Sequence, residues 1–267
     1  MVSLEVLIQS FEKLWPKATA EQWDRPGLTV GNIKQPISKV LLSVDATHAV
    51  VQEAVAQKAD LLLTHHPLLL RGVSELAEQS VKGNIVSQAI KSGLAIFSAH
   101  TNSDVAEVGT AAALAEVFGI NDVGPLDLMT GHGLVGSLDS PETLLGFATR
   151  IAKLLPSVAA GVKVAGDPDA MIQKVGLAPG AGDGLLETAL SRQLDVFITS
   201  DLRHHPSQEF LETNAFGRPI ALIDISHWAA ESIWLPKAQK ELSKMHPDVS
   251  FVISELSTDP WDFAVMQ

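Results

Sequence analysis

The chain has 267 residues, 46% of them hydrophobic, with a net charge of −12 and no cysteine. That length holds one large domain or two modest ones with a sizeable core. The acidic balance disfavours non-specific nucleic-acid binding, and the lack of thiols excludes disulfides and thiolate metal sites, so any metal must be held by nitrogen and oxygen.

In chain order, "MVSLEVLIQSFEKLWP" reads as an amphipathic helix with Ser3 as a candidate N-cap and Pro16 as its stop, not as a signal peptide. No run reaches the roughly 18 apolar residues of a membrane span, so a cytoplasmic location is expected. "WDRPGLTVG" (23–31) suggests a packed Trp23 and a turn-forming Asp24. "KVLLSVDAT" (39–47) is a predicted buried strand, followed by a helix over 49–60 and a second strand "LLLT" (61–64). A helix over 81–93 ends at Gly93, and "LAIFSAH" (94–100) is the third strand. Strands alternating with helices predict a largely parallel sheet covered on both faces.

After "GINDVGPLDLMTGHG" (119–133), rich in turn signals, the plan returns. A strand and helix fill 133–155, with Ser140 as the expected N-cap, Pro141 at the first helical position and Glu142 in the first turn. "KVGLAPGAG" (174–182), a helix over 185–195, "VFIT" (196–199) and "PIALIDISH" (219–227) follow. Lys39 to Asp60 and Lys174 to Asp195 are both 21 positions, and each third strand ends at a His followed by a carboxylate, His100 with Asp104 and His227 with Glu231. We read an internal duplication with diverged sequence: halves 1–126 and 127–267, the last segment packing back on the first half. The plainer alternative is that any two strand–helix–strand units look alike. The expected fold class is α/β, with duplicated three-layer α/β/α domains, mixed, largely parallel sheets and a site in the cleft between the halves.

In open parallel sheets, ligands bind beyond the carboxyl ends of the strands. His65 and His66 follow "LLLT", His100 follows "LAIFSA", and His227 follows "IALIDIS". If "HWAAE" (227–231) opens a helix, His227 and Glu231 share a face, and "HTNSD" (100–104) could do the same. His65, His66, Asp104, His227 and Glu231 offer three nitrogens and two carboxylates, which suits two divalent ions such as zinc, iron or manganese. Glu231 is the candidate bridge. Two dications, two carboxylates and a bridging hydroxide leave a charge of roughly +1, favouring a small anionic ligand, and bound water would titrate near about 7. His48, His132 and His246 read as ordinary structural histidines. His204 and His205 form a second pair, placed equally well at a cleft or in a surface loop. "APGAGDG" (178–184) is either a backbone cradle for phosphate or a tight strand-to-helix turn, and it lacks a Walker Lys.

The segments "WDRPGLTVG", "LLLTHHPLLL", "SAHTNSD", "VGLAPGAGDG", "ITSDLRHH" and "DISHWAAE" resemble, in order, those of the GTP cyclohydrolase 1 type 2 homologue family, the Ngg-one-interacting-factor-three-like dinuclear metal-binding proteins. The His-His-Pro and H-T-N-x-D segments are the specific ones. The resemblance implies the duplicated fold with a dinuclear site between its halves and a ring-shaped homohexamer, in the short form without an inserted domain. By position, the family's ligands fall on His65, His66, Asp104, His227 and Glu231, and His100 on a histidine beside the metals. Trp228 keeps the family's aromatic after the last metal His, whereas Pro206 after the second His pair departs from the pattern. Two functions are expected from these features. The first is a metal-dependent hydrolase acting on a small nucleotide-like or phosphorylated substrate, with His100 as catalytic general base or acid. The alternative is a non-catalytic regulatory or assembly protein with structural metals.

Overall fold

The computed structural model describes residues 1–214 and 219–265. The chain divides into two compact units, Met1–Gly109 with Trp234–Thr258, and Thr110–Ile233 with Asp259–Gln267. The division expected between 126 and 127 falls inside the second unit. The helix Thr110–Phe118 buries Ala111, Leu114, Ala115 and Phe118 against Phe147 and Val175 of that unit's core, so it belongs there.

In the first unit a five-stranded sheet runs in the order Ser250–Ile253, Lys39–Ser43, Leu61–Thr64, Ala95–Ser98, Gly27–Val30. The first four strands are parallel and the last is antiparallel. Leu61, Leu62 and Leu63 are fully buried, as a central parallel strand requires. Each such side chain contributes about 2 kcal/mol of burial free energy. One face packs Leu41, Leu62 and Ile96 against Val50, Val51 and Ala54 of the helix His48–Ala56 and Ile85 and Ala89 of the helix Val81–Ser92. On the opposite face Phe11, from the helix Leu4–Leu14, meets Phe97 at 4.9 Å, and Trp15 meets Trp234 edge-on at 5.1 Å. Gly93 takes φ +69 and closes its helix, as the sequence predicts.

The second unit carries a six-stranded mixed sheet ordered Ile120–Pro125, Leu134–Thr143, Met171–Ala181, Val196–Ser200, Ala221–Ile225, Lys163–Ala165. The strands Met171–Ala181, Val196–Ser200 and Ala221–Ile225 are parallel; the flanking ones are antiparallel. Alternation along Val196–Ser200 sends Val196 and Ile198 to a core with Phe118, Phe147 and Ile151, and Phe197 to another with Leu186, Ala189 and Phe210. Helices therefore cover both faces.

One predicted helix start moves. Residues 140–142 continue the strand, with Glu142 facing Ile172 and Thr143 facing Met171. The helix begins at Leu144, and Thr143 caps it by accepting from Gly146 N. Ladder pairing outweighed the Ser-Pro-Glu start signal. At the chain start, Ser3 occupies the N-cap position but makes no capping bond through its side chain.

The repeated 21-residue spacing has a physical counterpart in each unit. Asp60 Oδ2 accepts from Ser38 N and Lys39 N at 2.7 and 3.0 Å, while Lys39 Nζ donates to Gln57 O at 3.0 Å. Asp195 Oδ2 accepts from Gln173 N and Lys174 N at 2.8 and 2.7 Å, while Lys174 Nζ donates to Arg192 O at 2.7 Å. Two residues before each Asp the backbone is left-handed, at Lys58 (φ 56) and Gln193 (φ 53). The carbonyl of each Asp then receives the first N–H of the third strand, from Ala95 and from Ala221, at 2.9 Å in both cases. A short helix-to-strand turn needs its loose N–H groups satisfied, and one carboxylate does this at the same offset in both units.

Candidate metal centre

In the first unit, His65 and His66 stand directly after the strand Leu61–Thr64. Pro67 blocks further ladder pairing, and Thr64 Oγ1 bonds His66 O at 2.8 Å, curling the backbone there. The two rings lie on the same side, with centroids 5.0 Å apart, although a regular strand would send them to opposite faces. His100 joins them, its ring 5.2 Å from His65 and 5.5 Å from His66. One ring nitrogen from each of the three lies within 4.8 Å of the others.

The Nδ1 atoms of these rings are committed elsewhere. His65 Nδ1 donates to Ala99 O at 2.9 Å, His66 Nδ1 to Asp45 Oδ1 at 2.8 Å, and His100 Nδ1 to Asp24 Oδ1 at 2.8 Å. A carbonyl or carboxylate only accepts, so each Nδ1 carries a proton, and Nε2 is the ring atom that could meet a metal ion. This is the outer-shell arrangement that orients metal-binding histidines.

Asp104 lies at the end of the short helix Thr101–Asp104, which starts from His100. His100 turns to Asp24, and Asp104 Oδ1 comes to 3.6 Å from His65 Nε2. That distance is long for a hydrogen bond. It is close to the about 3.4 Å that separates two donors sharing a tetrahedral ion at about 2.1 Å.

Asp24 closes a turn, its N–H donating to Glu21 O at 3.0 Å, and is nearly fully buried at 4% exposure. It also accepts from Thr101 N and Thr101 Oγ1, at 3.1 and 2.6 Å. Burial works against its charge, but the bonds from His100 and Thr101 win, and its pKa falls to about 2. Trp23, expected to be packed, is 56% exposed and meets His100 edge-on at 5.8 Å.

In the second unit, His227 opens the helix His227–Ser232, capped by Ser226 Oγ accepting from Ala229 N at 3.1 Å. One turn later, buried Glu231 places Oε1 2.9 Å from His227 Nε2, as the His-x-x-x-Glu spacing predicts. His227 Nδ1 is held by Asp201 Oδ2 at 2.7 Å, and Asp201 itself sits in the left-handed region at φ 54. Burial disfavours a charged His227, yet the Glu231 and Asp201 carboxylates outweigh it and raise its pKa to about 11. The hydrogen bond from His227 holds Asp201 below the usual carboxylate range. So negative a setting draws a cation, and a metal ion competes with the proton on Nε2.

The Gly-rich segment serves this pair as a close-packed turn. Gly180 takes φ +82, and a Cβ there would lie 3.2 Å from Glu231 Oε1 and 3.8 Å from His227 Nε2. At Gly182 a Cβ would fall 1.8 Å from Thr199 Oγ1. Gly182 N is used by Ser200 O at 3.3 Å, and Asp183 pairs with Arg203, which sets a carboxylate where a phosphate would need donors. The tight-turn alternative therefore explains these glycines.

His204 and His205, both exposed, open the helix His204–Asn214 and stack edge-on at 5.1 Å. His48 contacts Gln88 at 3.1 Å and His246 contacts Ser10 at 2.8 Å, both structural roles. Sequence reasoning missed Asp24, Asp45 and Asp201. Asp45 and Asp201 carried a signal in their positions just past strand ends; Asp24 carried none. No helix among the described residues is long and apolar enough to cross a membrane.

The donor chemistry of both units fits divalent metal binding: oriented imidazoles, carboxylates and no thiol. The profile of the Duf34/NIF3 (NGG1p interacting factor 3) family matches residues 2–260. A GTP cyclohydrolase 1 type 2 homolog of Streptomyces coelicolor is 41% identical over 272 residues, covering 98% of this chain and 94% of that protein. One from Clostridium perfringens is 31% identical over 271 residues, covering 98% and 100%. Among solved structures, a Bacillus cereus protein related to NIF3 superposes with a TM-score of 0.90 at 22% identity, covering 99% and 100% of the two chains. A Staphylococcus aureus protein superposes at 0.87 with 24% identity, covering 98% and 99%. These two establish likeness of fold. The match over nearly the whole chain shows that this protein belongs to the Duf34/NIF3 family, whose curated relatives carry the name GTP cyclohydrolase 1 type 2 homolog.

Proposed function

We propose that this is a dinuclear metal protein in which His65, His66, Asp104, His227 and Glu231 hold two divalent ions, and that it hydrolyses a small anionic, nucleotide-like or phosphorylated substrate. The observation that carries the reading is the commitment of Nδ1 in His65, His66 and His227 to a carbonyl or a carboxylate, which presents Nε2 as the ligand atom. The matched clamps of Asp60 and Asp195 support reading the units as a duplicated fold.

Ions of zinc, iron or manganese held there would supply Lewis acidity and activate water. The chain's own part is to fix charge and move a proton. Asp104 and Glu231 balance part of the roughly +4 brought by two dications, and the remaining positive charge selects an anionic substrate. His100 acts as general base or acid: Asp24 keeps Nδ1 protonated and leaves Nε2 to take or return a proton. The buried Asp24 carboxylate stabilises the imidazolium that forms, the role of the carboxylate in an Asp–His pair. The resemblance adds a homohexameric ring, which light scattering of the purified protein checks.

The test is elemental analysis of purified protein combined with turnover of a nucleotide and phosphoester panel. Two ions per chain, metal-dependent product, and loss of turnover with retained metal in His100→Ala support the reading. Glu231→Gln that keeps full activity and full metal content sinks it. Two bound ions with no turnover, and a melting temperature that chelation lowers, would instead assign the metals a structural role.

A further inference from the structure

The C-terminal segment reaches the outer shell of the candidate centre. Past the strand Ser250–Ile253, which pairs with Lys39–Ser43, Ser254 N donates to Leu42 O at 2.8 Å and Ser254 Oγ bonds the Glu53 carboxylate. The chain then places Thr258 beside Asp45, whose Oδ2 accepts from Thr258 Oγ1. The other oxygen of that carboxylate, Oδ1, holds Nδ1 of His66 at 2.8 Å. A carboxylate turns easily about its terminal torsion, which has a broad, two-fold profile. A bond to each oxygen restricts that rotation and fixes the plane in which Oδ1 meets the ring.

The same unit contains the arrangement a second time. Thr101 Oγ1 donates to Asp24 Oδ2 at 2.6 Å, and Asp24 Oδ1 holds His100 Nδ1 at 2.8 Å. In the Asp24 case hydroxyl and imidazole come from adjacent residues, Thr101 at the start of a short helix and His100 just before it. In the Asp45 case the hydroxyl comes from the far end of the chain, 213 positions after the aspartate. No sequence pattern near the His-His pair announces it.

We propose that Thr258 is a positioning residue for the metal held at His66: its hydroxyl sets Asp45, and Asp45 sets the tautomer and plane of the His66 ring. The C-terminal segment thereby tunes metal affinity. The inference rests on the dinuclear reading above and deepens it.

The experiment uses full-length protein as wild type, Thr258→Val and Thr258→Ser. Each is stripped of metal and titrated with zinc against a chromophoric chelator. Apo melting temperatures and imidazole ¹⁵N spectra of the metal-free proteins are recorded alongside. Expected for Thr258→Val is about tenfold weaker binding of one ion, the low end of what losing an outer-shell partner costs. Its apo melting temperature stays at the wild-type value, and His66 changes from one Nδ1-protonated tautomer to a mixture. Thr258→Ser, which keeps the hydroxyl, stays near wild type. Thr258→Val that binds both ions as tightly as wild type overturns the proposal alone. So does a joint fall of affinity and apo melting temperature with the His66 tautomer unchanged, because that marks a merely structural role. Wild type that binds no ion removes the metal reading and this proposal with it.

Discussion

Asp24 accepts a hydrogen bond from Nδ1 of His100 at 2.8 Å, across 76 positions of sequence. The pair has a consequence for stability against pH. The pKa of Asp24 is about 2 in the folded chain and 3.8 as the ordinary value, so the folded state prefers the charged form. That preference contributes stability which is fully present above about pH 4 and is lost as pH falls toward 2, amounting to about 2 kcal/mol. Asp24→Asn is expected to lower stability at neutral pH by about 2 kcal/mol and to flatten the acid limb. Urea melts of both proteins at several pH values between 3 and 7 check this. Parallel curves would show that the charge of Asp24 contributes nothing.

Gly180→Ala tests the close approach of the Gly-rich turn to Glu231. Its φ of +82 and the 3.2 Å between a new Cβ and Glu231 Oε1 act in the same direction. The expected cost is about 1–3 kcal/mol of stability, together with weaker metal retention. Calorimetry and metal content read the two effects separately. A variant with wild-type melting and metal content would show that the turn yields without disturbing the pair.

Asp60→Ala and Asp195→Ala remove equivalent clamps from the two units. Each leaves strand-entry N–H groups without their acceptor, so each is expected to cost about 1–3 kcal/mol. The two losses should agree within roughly a factor of two, the usual context dependence. Chemical denaturation of each variant supplies the comparison. A large loss at one position and none at the other would mean that the shared geometry has no shared energetic role.

Chelation is expected to lower the melting temperature, and added zinc or manganese to restore it. Ligand at 100 times its dissociation constant contributes about 2.7 kcal/mol to the folded state. His227→Ala should remove most of that response, since His227 and Glu231 form the donor pair of their unit. Thermal melts with and without chelator decide it. A response unchanged by His227→Ala would place the stabilising ion elsewhere.

Much of the fold was written in local pattern. Central strands such as Leu61–Thr64 and Val196–Ser200 announce themselves as short, wholly apolar runs, because a parallel strand covered on both faces has no polar side to show. The His-x-x-x-Glu spacing placed His227 and Glu231 on one helical face, a matter of local geometry alone. Even the 21-residue recurrence proved to be a hydrogen-bond device, one carboxylate closing one turn. Residues 140–142 carry a helix-start signal yet form strand, because that signal cannot report that a neighbouring strand lies ready to pair with them.

By itself, the sequence determined the candidate ligands, since strand ends and helical spacing are properties of adjacent residues. The tertiary structure alone decided what turns each ring. Asp24 holds His100, Asp45 holds His66 and Asp201 holds His227, over separations of 76, 21 and 26 positions. Thr258 reaches Asp45 from 213 positions away. A hydrogen bond acts over about 3 Å, and no periodicity in the chain encodes which distant loop the sheet will bring within that reach.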